Sequence, residues 1–242
     1  MNRFIVSALA LGAAALSSAC ASTNAARDPH PDHRLAHMLK AESKAAHSDS
    51  PCLELWEDRD KTADCERVVN ELERLYAEFP RHQRVLFVNA FMQYQYGRPE
   101  QAQFLLDELL STPGSHPEAA ILRAQLALRE GSSTRARKLL QTQLRLRPDH
   151  SGLHETMSSA LYLSGRYDEA SHHLELARVL GAPAARIRYH EGLLLEAQGQ
   201  VQSACNAYAA AYQSSDRNSQ PLHRLIGLSR NSHCANTLTA LR

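Results

Sequence analysis

The stretch Gly97-Arg98-Pro99-Glu100-Gln101-Ala102 sets a frame that three later segments of the chain repeat. After Gly97, glycine recurs every 34 residues, at Gly131, Gly165 and Gly199. After Ala102, alanine keeps the same step, at Ala136, Ala170 and Ala204. Because only 10 of the 242 residues are glycine, this register is hard to assign to chance. A fixed period of this length predicts a stacked array of repeated structural units.

Counting the periodic glycine as position 15 of each unit divides the chain into four repeats, 83–116, 117–150, 151–184 and 185–218. Apolar residues recur at helical spacing on both sides of each glycine. Position 8 is small in every unit, as Ala90, Ala124, Ser158 and Gly192. Position 24 is bulky in every unit, as Leu106, Leu140, Leu174 and Tyr208. Each unit is therefore predicted to form one helix on each side of its glycine.

The third unit resembles the tetratricopeptide repeat, with Gly165 at position 15, Tyr167 at position 17 and Ala170 at position 20. The other units match in part, because Pro99 or Ser133 stands at position 17 and Gln143 at position 27. This resemblance implies an all-α fold, a right-handed α-solenoid of antiparallel helix pairs.

The resemblance covers 83–218, and the flanking segments are expected to serve as its ends. Residues 51–82 carry an amphipathic helical pattern and are expected to form a degenerate repeat or N-terminal cap. Residues 219–242 are expected to supply a C-terminal capping helix and tail, since helical arrays need a terminal unit with a polar outer face.

The first 19 residues are typical of a secretory signal peptide. An apolar run from Phe4 to Leu16 follows Arg3 and is too short to span a bilayer of about 30 Å. The residues that end in Cys20 resemble the bacterial lipobox, which implies acylation of Cys20 and an outer-membrane anchor that faces the periplasm. The alternative is an ordinary cut after Ala21, which would give a soluble periplasmic or secreted protein.

Residues 20–50 are predicted to be the lipidated N-terminus and a flexible tether, with the tether itself over 21–34 and at most a weak helix over 35–48. Pro29 and Pro31 remove backbone donors and disfavour a helix there. The tether also holds His30, His33 and His37, for which a solvated linker is a better explanation than a metal site, because no Glu or Cys completes a zinc-like pattern.

The cysteines agree with an oxidising compartment. Without Cys20, four remain, an even number that allows three disulfide pairings. Closeness in the chain favours Cys52–Cys65 and Cys205–Cys234, one at each end of the array.

Neither catalysis nor nucleic-acid binding has support in the sequence. The formal net charge is +1, whereas a nucleic-acid-binding domain usually presents a basic face. The chain lacks the hydrolase, zinc-protease and nucleotide-binding motifs. His172 and His173 lie near Glu169 and Glu175 and are expected on a solvated helix face. We therefore expect no enzyme activity, cofactor, metal or small-molecule substrate.

The family resemblance implies a concave groove lined by the first helix of each repeat, at positions 2, 5, 9, 12 and 13. These positions are Arg84, Phe87, Phe91, Tyr94, Ile121, Gln125, Leu128, Arg129, Glu155, Ser159, Tyr162, Arg186, Tyr189, Leu193 and Glu196. Phe87, Phe91 and Tyr94 form an aromatic stripe on the first helix of the first repeat. Such a stripe is expected either to pack in the core or to be exposed as an anchor for a partner protein.

Such a groove is expected to bind a segment of a partner protein in the cell envelope. The layout of anchor, tether and repeats is similar to that of tetratricopeptide lipoproteins of pilus biogenesis and envelope assembly. We expect an adaptor that assists assembly of a pilus, a secretion apparatus or an outer-membrane protein complex. The alternative is a regulator or substrate adaptor of an envelope protease or cell-wall hydrolase.

Overall fold

A computed structural model describes residues 30–45, 62–214, 219–229 and 234–239, and in these ranges helices are the only regular secondary structure. The helices are α1 Pro31–Ala45, α2 Thr62–Glu78, α3 Gln83–Gln95, α4 Pro99–Ser111, α5 Pro117–Arg129, α6 Ser133–Leu146, α7 Ser151–Tyr162, α8 Tyr167–Val179, α9 Ala184–Ala197, α10 Val201–Gln213, α11 Gln220–Ser229 and α12 Ala235–Thr239. The predicted all-α class is confirmed.

Helices α3 to α10 form four successive hairpins that stack into a solenoid. Within each hairpin the first and second helices pack together, and each second helix then contacts the first helix of the next hairpin. The hairpins coincide with the repeat boundaries expected from the sequence, except that α9 begins one residue early, at Ala184. A continuous core therefore runs from hairpin to hairpin.

Each hairpin turns at its periodic glycine. In the second repeat, Gly131 has a φ of 77°. Its amide donates to the carbonyl of Leu128 at 3.0 Å, and the amide of Ser132 donates to the carbonyl of Ala127 at 2.8 Å. This is the Schellman arrangement, in which a left-handed residue ends a helix and its carbonyls are satisfied. Because residues with a Cβ disfavour that conformation, the turn explains the recurrence of glycine.

Gly131→Ala should lower the free energy of unfolding by about 1 kcal/mol, because alanine must adopt a left-handed φ there. A Cβ at Gly131 would meet no atom within 4 Å, so the cost comes from the backbone alone. Gly227 provides the matched control, because it lies inside α11 with equal free space and without a positive φ. Gly227→Ala should stabilise the chain by about 0.5 kcal/mol. Urea unfolding of the two variants measures both effects, and shifts in the same direction would contradict this account.

The fourth hairpin packs its helices differently from the others. Ala90 and Leu106 share one core cluster, as Ala124 and Leu140 share the next. In the fourth repeat, Gly192 stands in place of the alanine at position 8, and Tyr208 stands in place of the leucine at position 24. A Cβ at Gly192 would lie 2.4 Å from Cε1 of Tyr208, so the tyrosine ring occupies the space that a methyl group would take.

Gly192→Ala should therefore lower the free energy of unfolding by about 1–3 kcal/mol through overpacking. Tyr208→Leu in the same chain should recover part of that loss, because the pair then matches the alanine and leucine of the second repeat, although the hydrogen bond of Tyr208 to Glu196 is lost. A double-mutant cycle by urea unfolding measures the coupling. Additive losses would show that the two positions do not share this space.

The structure corrects the predicted tether from residue 31 onward, because α1 covers residues 31–45 and so begins earlier than the weak helix predicted over 35–48. Pro31 stands at the first helical position, where a missing backbone donor has no cost, so this proline begins the helix that it was expected to prevent. Leu35 is fully buried against α2 and α3. The signal-peptide and lipidation predictions lie outside the described residues, as does Cys52 of the Cys52–Cys65 pair.

The C-terminal end of the array is closed by α11 and α12. Cys205 on α10 and Cys234 before α12 form a disulfide with their Cα atoms 5.6 Å apart, in agreement with the predicted pair. Both cysteines are fully buried and share a core cluster with Leu225 of α11. The disulfide therefore ties the closing helices to the last repeat.

Candidate functional site

The first helices of the later repeats line an open cavity of about 620 Å³. Residues of α5, α7, α9 and α11 contribute to its wall, and α10 adds Ala211. Seven of the groove positions expected from the sequence lie in this cavity, namely Ile121, Gln125, Leu128, Glu155, Ser159, Arg186 and Tyr189. The 34-residue frame therefore brings parts of three repeats to one site.

The other expected groove positions do not line the cavity. They are Arg84, Phe87, Phe91, Tyr94, Arg129, Tyr162, Leu193 and Glu196. The rings of Phe87, Phe91 and Tyr94 are half-buried and pack against the core cluster of the first repeat. The aromatic stripe therefore contributes to packing in that repeat.

Arg129 and Tyr94 form a bridge between the first and second repeats. A guanidinium Nη1–H of Arg129 donates to the hydroxyl of Tyr94 at 2.8 Å. The guanidinium carbon also lies 5.4 Å from the centre of the Tyr94 ring, within the range of a cation–π contact. Both side chains thus engage each other beside the cavity.

Several cavity residues were not expected from the sequence. His150 lies before α7, where its Nδ1 accepts a hydrogen bond from the amide of Leu153 at 3.3 Å and so caps the helix. Gln220 and Pro221 come from α11, which was expected only to cover the last repeat. Continuing the 34-residue count places Gln220 at position 2 of a fifth unit, and that count could have identified α11 as a further first helix.

Glu155 is a buried charged residue in the cavity wall. Its carboxylate accepts a hydrogen bond from Nε of Arg186 at 2.8 Å and a second from Nη2 of the same guanidinium. Nε2 of His190 lies 3.3 Å from the same carboxylate. Burial alone would raise the pKa of Glu155, but the hydrogen bonds from His190 and Arg186 outweigh it and hold the pKa at about 2. The carboxylate therefore stays ionised and ties α7 to α9.

The carboxylate of Glu196 on α9 contacts Tyr208 of α10 and Arg224 of the closing helix α11. The Tyr208 hydroxyl donates to its carboxylate at 2.6 Å, and a guanidinium nitrogen of Arg224 on α11 lies 3.5 Å away. Burial, with the hydrogen bond to Glu196, raises the pKa of Tyr208, so the phenol stays protonated. These contacts hold α11 against α9, where it forms one wall of the cavity.

The structure corrects the prediction that His172 and His173 share a solvated face. His172 is exposed, but His173 is half-buried, and its Nδ1 lies 2.9 Å from Nδ1 of the buried His154. Nε2 of His154 lies 2.9 Å from the carbonyl oxygen of Pro148. Since a carbonyl only accepts, His154 carries its proton on Nε2, and its Nδ1 accepts the proton of His173.

Desolvation by burial, together with the nearby His154 and His172, lowers the pKa of His173 to about 4 from a usual value of 6.5. Between these two values the unfolded chain binds a proton that the folded chain does not, so stability falls as pH falls through that window. We expect the melting temperature to drop between pH 7.5 and pH 5, and to drop less in His173→Asn, whose amide can still donate to His154. His172→Asn is the control and should keep most of the drop, because burial, the largest cause of the lowered pKa of His173, is unchanged by it. Equal pH dependence in all three chains would contradict this assignment.

Within the described ranges, no three His, Cys, Asp or Glu side chains come together as metal ligands. None of the helices in those ranges has the length and apolar character needed to cross a bilayer.

Stacked 34-residue helical hairpins, with a cavity along their first helices, define the chain as a solenoid of the tetratricopeptide type. A family model described as anaphase-promoting complex, cyclosome, subunit 3 matches residues 92–177, which extend from α3 to α8. Comparison with curated proteins gave no match.

Several solved structures share this fold. TTC0263, a thermophilic tetratricopeptide protein of Thermus thermophilus, aligns with a TM-score of 0.60 at 17% identity, over 78% of this chain and 95% of that one. MamA aligns with a TM-score of 0.53 at 15% identity, over 66% of this chain and 96% of that one. YrrB, described as a tetratricopeptide protein with an unusual peptide-binding site, aligns with a TM-score of 0.51 at 12% identity, over 77% and 96%. At these identities the likeness shows the fold alone.

Proposed function

We propose that this chain is a non-catalytic adaptor that binds an extended segment of a partner protein in the cavity between α5, α7, α9 and α11. The observation that carries the proposal is the cavity itself, which is built from first helices and holds a fully paired buried charge. Solenoids of stacked repeats generally bind their partners on extended surfaces of this kind. The peptide-binding site named for YrrB is consistent with this use of the fold.

The lining of the cavity suits a peptide. Ile121, Leu128 and Tyr189 supply apolar surface, while Gln125 and Arg186 supply exposed polar groups. Recognition sites usually combine an apolar lining with a few polar groups that fix orientation. Tyrosine and arginine are also the side chains that most often dominate protein interfaces. A segment with alternating apolar and polar side chains would satisfy both parts of the wall.

We expect photo-crosslinking to separate this surface from the rest of the solenoid. A photoreactive amino acid at Gln125, exposed in the cavity, should capture a partner protein in intact cells. The same substitution at Gln141, exposed on the second helix α6, is the matched control and should capture none. Adding Tyr189→Ala to the chain with the photoreactive residue in place of Gln125 should reduce the crosslinking yield at least fivefold, because this change removes an aromatic ring from the cavity wall.

Mass spectrometry of the captured protein distinguishes the two cellular roles. Subunits of a pilus, secretion or outer-membrane assembly apparatus would support a role in assembly. A single protease or cell-wall hydrolase would instead favour the regulator. Equal capture from Gln125 and Gln141 would contradict the use of the cavity.

The proposed partner lies in the cell envelope because we also propose that the chain is exported and anchored by acyl chains on Cys20. The support is the apolar run and the lipobox-like residues before that cysteine, together with the disulfide, which suits an oxidising compartment. Several acyl chains on one terminus exceed the two signals needed for stable anchoring.

Radiolabelled palmitate should label the native chain in the outer-membrane fraction, and Cys20→Ser should abolish the label and release the protein from that fraction. A mature chain that begins at Ser22, as determined by mass spectrometry, would instead show the ordinary cut after Ala21 and a protein without a lipid anchor.

A further inference from the structure

Exposed apolar side chains are concentrated at one edge of the solenoid. In the ranges that the structure describes, the large apolar side chains that are exposed are Phe104, Leu146, Leu163, Val179, Leu180 and Ile226. Leu146 and Leu180 both stand at position 30, in the second and third repeats, and Val179 stands at position 29. Leu146 is 53% exposed and Val179 is 74% exposed, so neither side chain contributes much to the core. We call the surface formed by Leu146, Val179 and Leu180 the junction patch.

The junction patch lies where one repeat passes into the next. Leu146 is the last residue of α6, and Val179 is the last residue of α8. Because the two helices of each hairpin are antiparallel, all junctions lie at one edge of the array and all periodic glycines at the opposite edge. Consecutive junctions are neighbours, since Nε2 of His150 before α7 lies 3.4 Å from the carboxylate of Glu118 in the first turn of α5. The equivalent positions of the second and third repeats therefore form one continuous surface.

Arginines flank the junction patch. Arg145 and Arg147 stand on either side of Leu146, and Arg178 stands before Val179. All three arginines are exposed. Arg147 and Arg178 each pair with a carboxylate, but a guanidinium has five N–H groups and keeps donors for a further acceptor. Apolar groups with arginines beside them suit the headgroup region of a bilayer, because guanidinium groups bind phosphates while apolar groups enter the acyl boundary.

Helix α1 brings the start of the chain to the same edge. Asp32, in the first turn of α1, lies 3.6 Å from His82 and 3.6 Å from Arg84, at the junction before α3. Cys20 precedes His30 by ten residues, a length of chain that spans at most about 35 Å. An acyl group on Cys20 would therefore keep the bilayer close to the edge that carries the junction patch.

We propose that the junction patch docks on the phospholipid surface of the membrane that holds the acyl anchor. Leu146, Val179 and Leu180 enter the headgroup region, and the neighbouring arginines bind lipid phosphates. The proposal rests on the anchor proposed for Cys20, which brings the patch to the membrane. Since the helices run from the junction edge to the glycine edge, docking makes them stand on the bilayer. The cavity then opens to the side, where a partner protein can reach it.

Tryptophan fluorescence in vesicles with brominated acyl chains tests this contact. The native chain is reconstituted in vesicles of phosphatidylethanolamine and phosphatidylglycerol, and the unsubstituted protein gives the background of Trp56. Val179→Trp should be quenched at least threefold more strongly than Leu163→Trp. Leu163 is the matched control because it is 59% exposed and lies at the opposite edge, two residues before the turn at Gly165.

A second pair of variants tests the apolar part of the contact. Leu146→Asp in the Val179→Trp chain should reduce the quenching at least twofold, because a carboxylate disfavours entry into the headgroup region. Phe104→Asp in the same chain is the control. Phe104 is 66% exposed in the middle of α4, away from the junction edge, so this change should leave the quenching unaltered.

The anchor and the docking can fail separately, because flotation with the vesicles reports the anchor and quenching reports the patch. A chain that floats but is quenched equally at residues 163 and 179 would overturn the docking and keep the anchor. Selective quenching at residue 179 in a chain whose mass shows no lipid would refute the anchor and keep the docking. A concentration-dependent dimer of the Cys20→Ser chain that Val179→Asp abolishes in sedimentation experiments would assign the patch to a second copy and overturn the docking.

Discussion

The architecture depends on reversing the chain within three or four residues after each first helix. A left-handed residue at that point ends the helix, satisfies its last carbonyls and directs the second helix back along the first. The φ of 72° at Gly165 meets this requirement, as do the similar values at the other periodic glycines. Since every reversal has the same geometry, the hairpins stack with their first helices on a common surface. The cavity follows from that stacking.

Stacking also explains why a buried charge is tolerated. Glu155 and Arg186 are 31 residues apart, and they meet because adjacent first helices lie side by side. A carboxylate removed from water without partners would be costly, but the guanidinium and His190 satisfy it. The resulting link joins α7 to α9 at the cavity wall, so the charged group orders the surface that a ligand would contact. Arg186 remains exposed enough to meet that ligand as well.

The two ends of the array are covered by helices that make similar charged contacts. Helices α1 and α11 each lie against a terminal first helix and each bring a charge that pairs with it, Asp32 with Arg84 and Arg224 with Glu196. They differ in how they are held. Helix α11 is tied through the Cys205–Cys234 disulfide and shares its core, whereas the described side chains of α1 hold it through Leu35, Met38 and ion pairs.

The sequence by itself determined the repeated helical hairpin and its 34-residue period, because these depend on local rules of spacing and turn geometry. Closeness along the chain favoured the pairing of Cys205 with Cys234, which the structure shows. It also identified seven of the residues that line the cavity, since position within a repeat decides which way a first-helix side chain points. Only the tertiary structure decided that α11 forms a wall, that His173 pairs with His154, and that α1 is a docked helix. Those outcomes depend on contacts between segments far apart in the chain. Pro31 shows the limit clearly, because a proline begins a helix only where a helix forms behind it, and the packing of Leu35 on α2 and α3 supports α1 at that place.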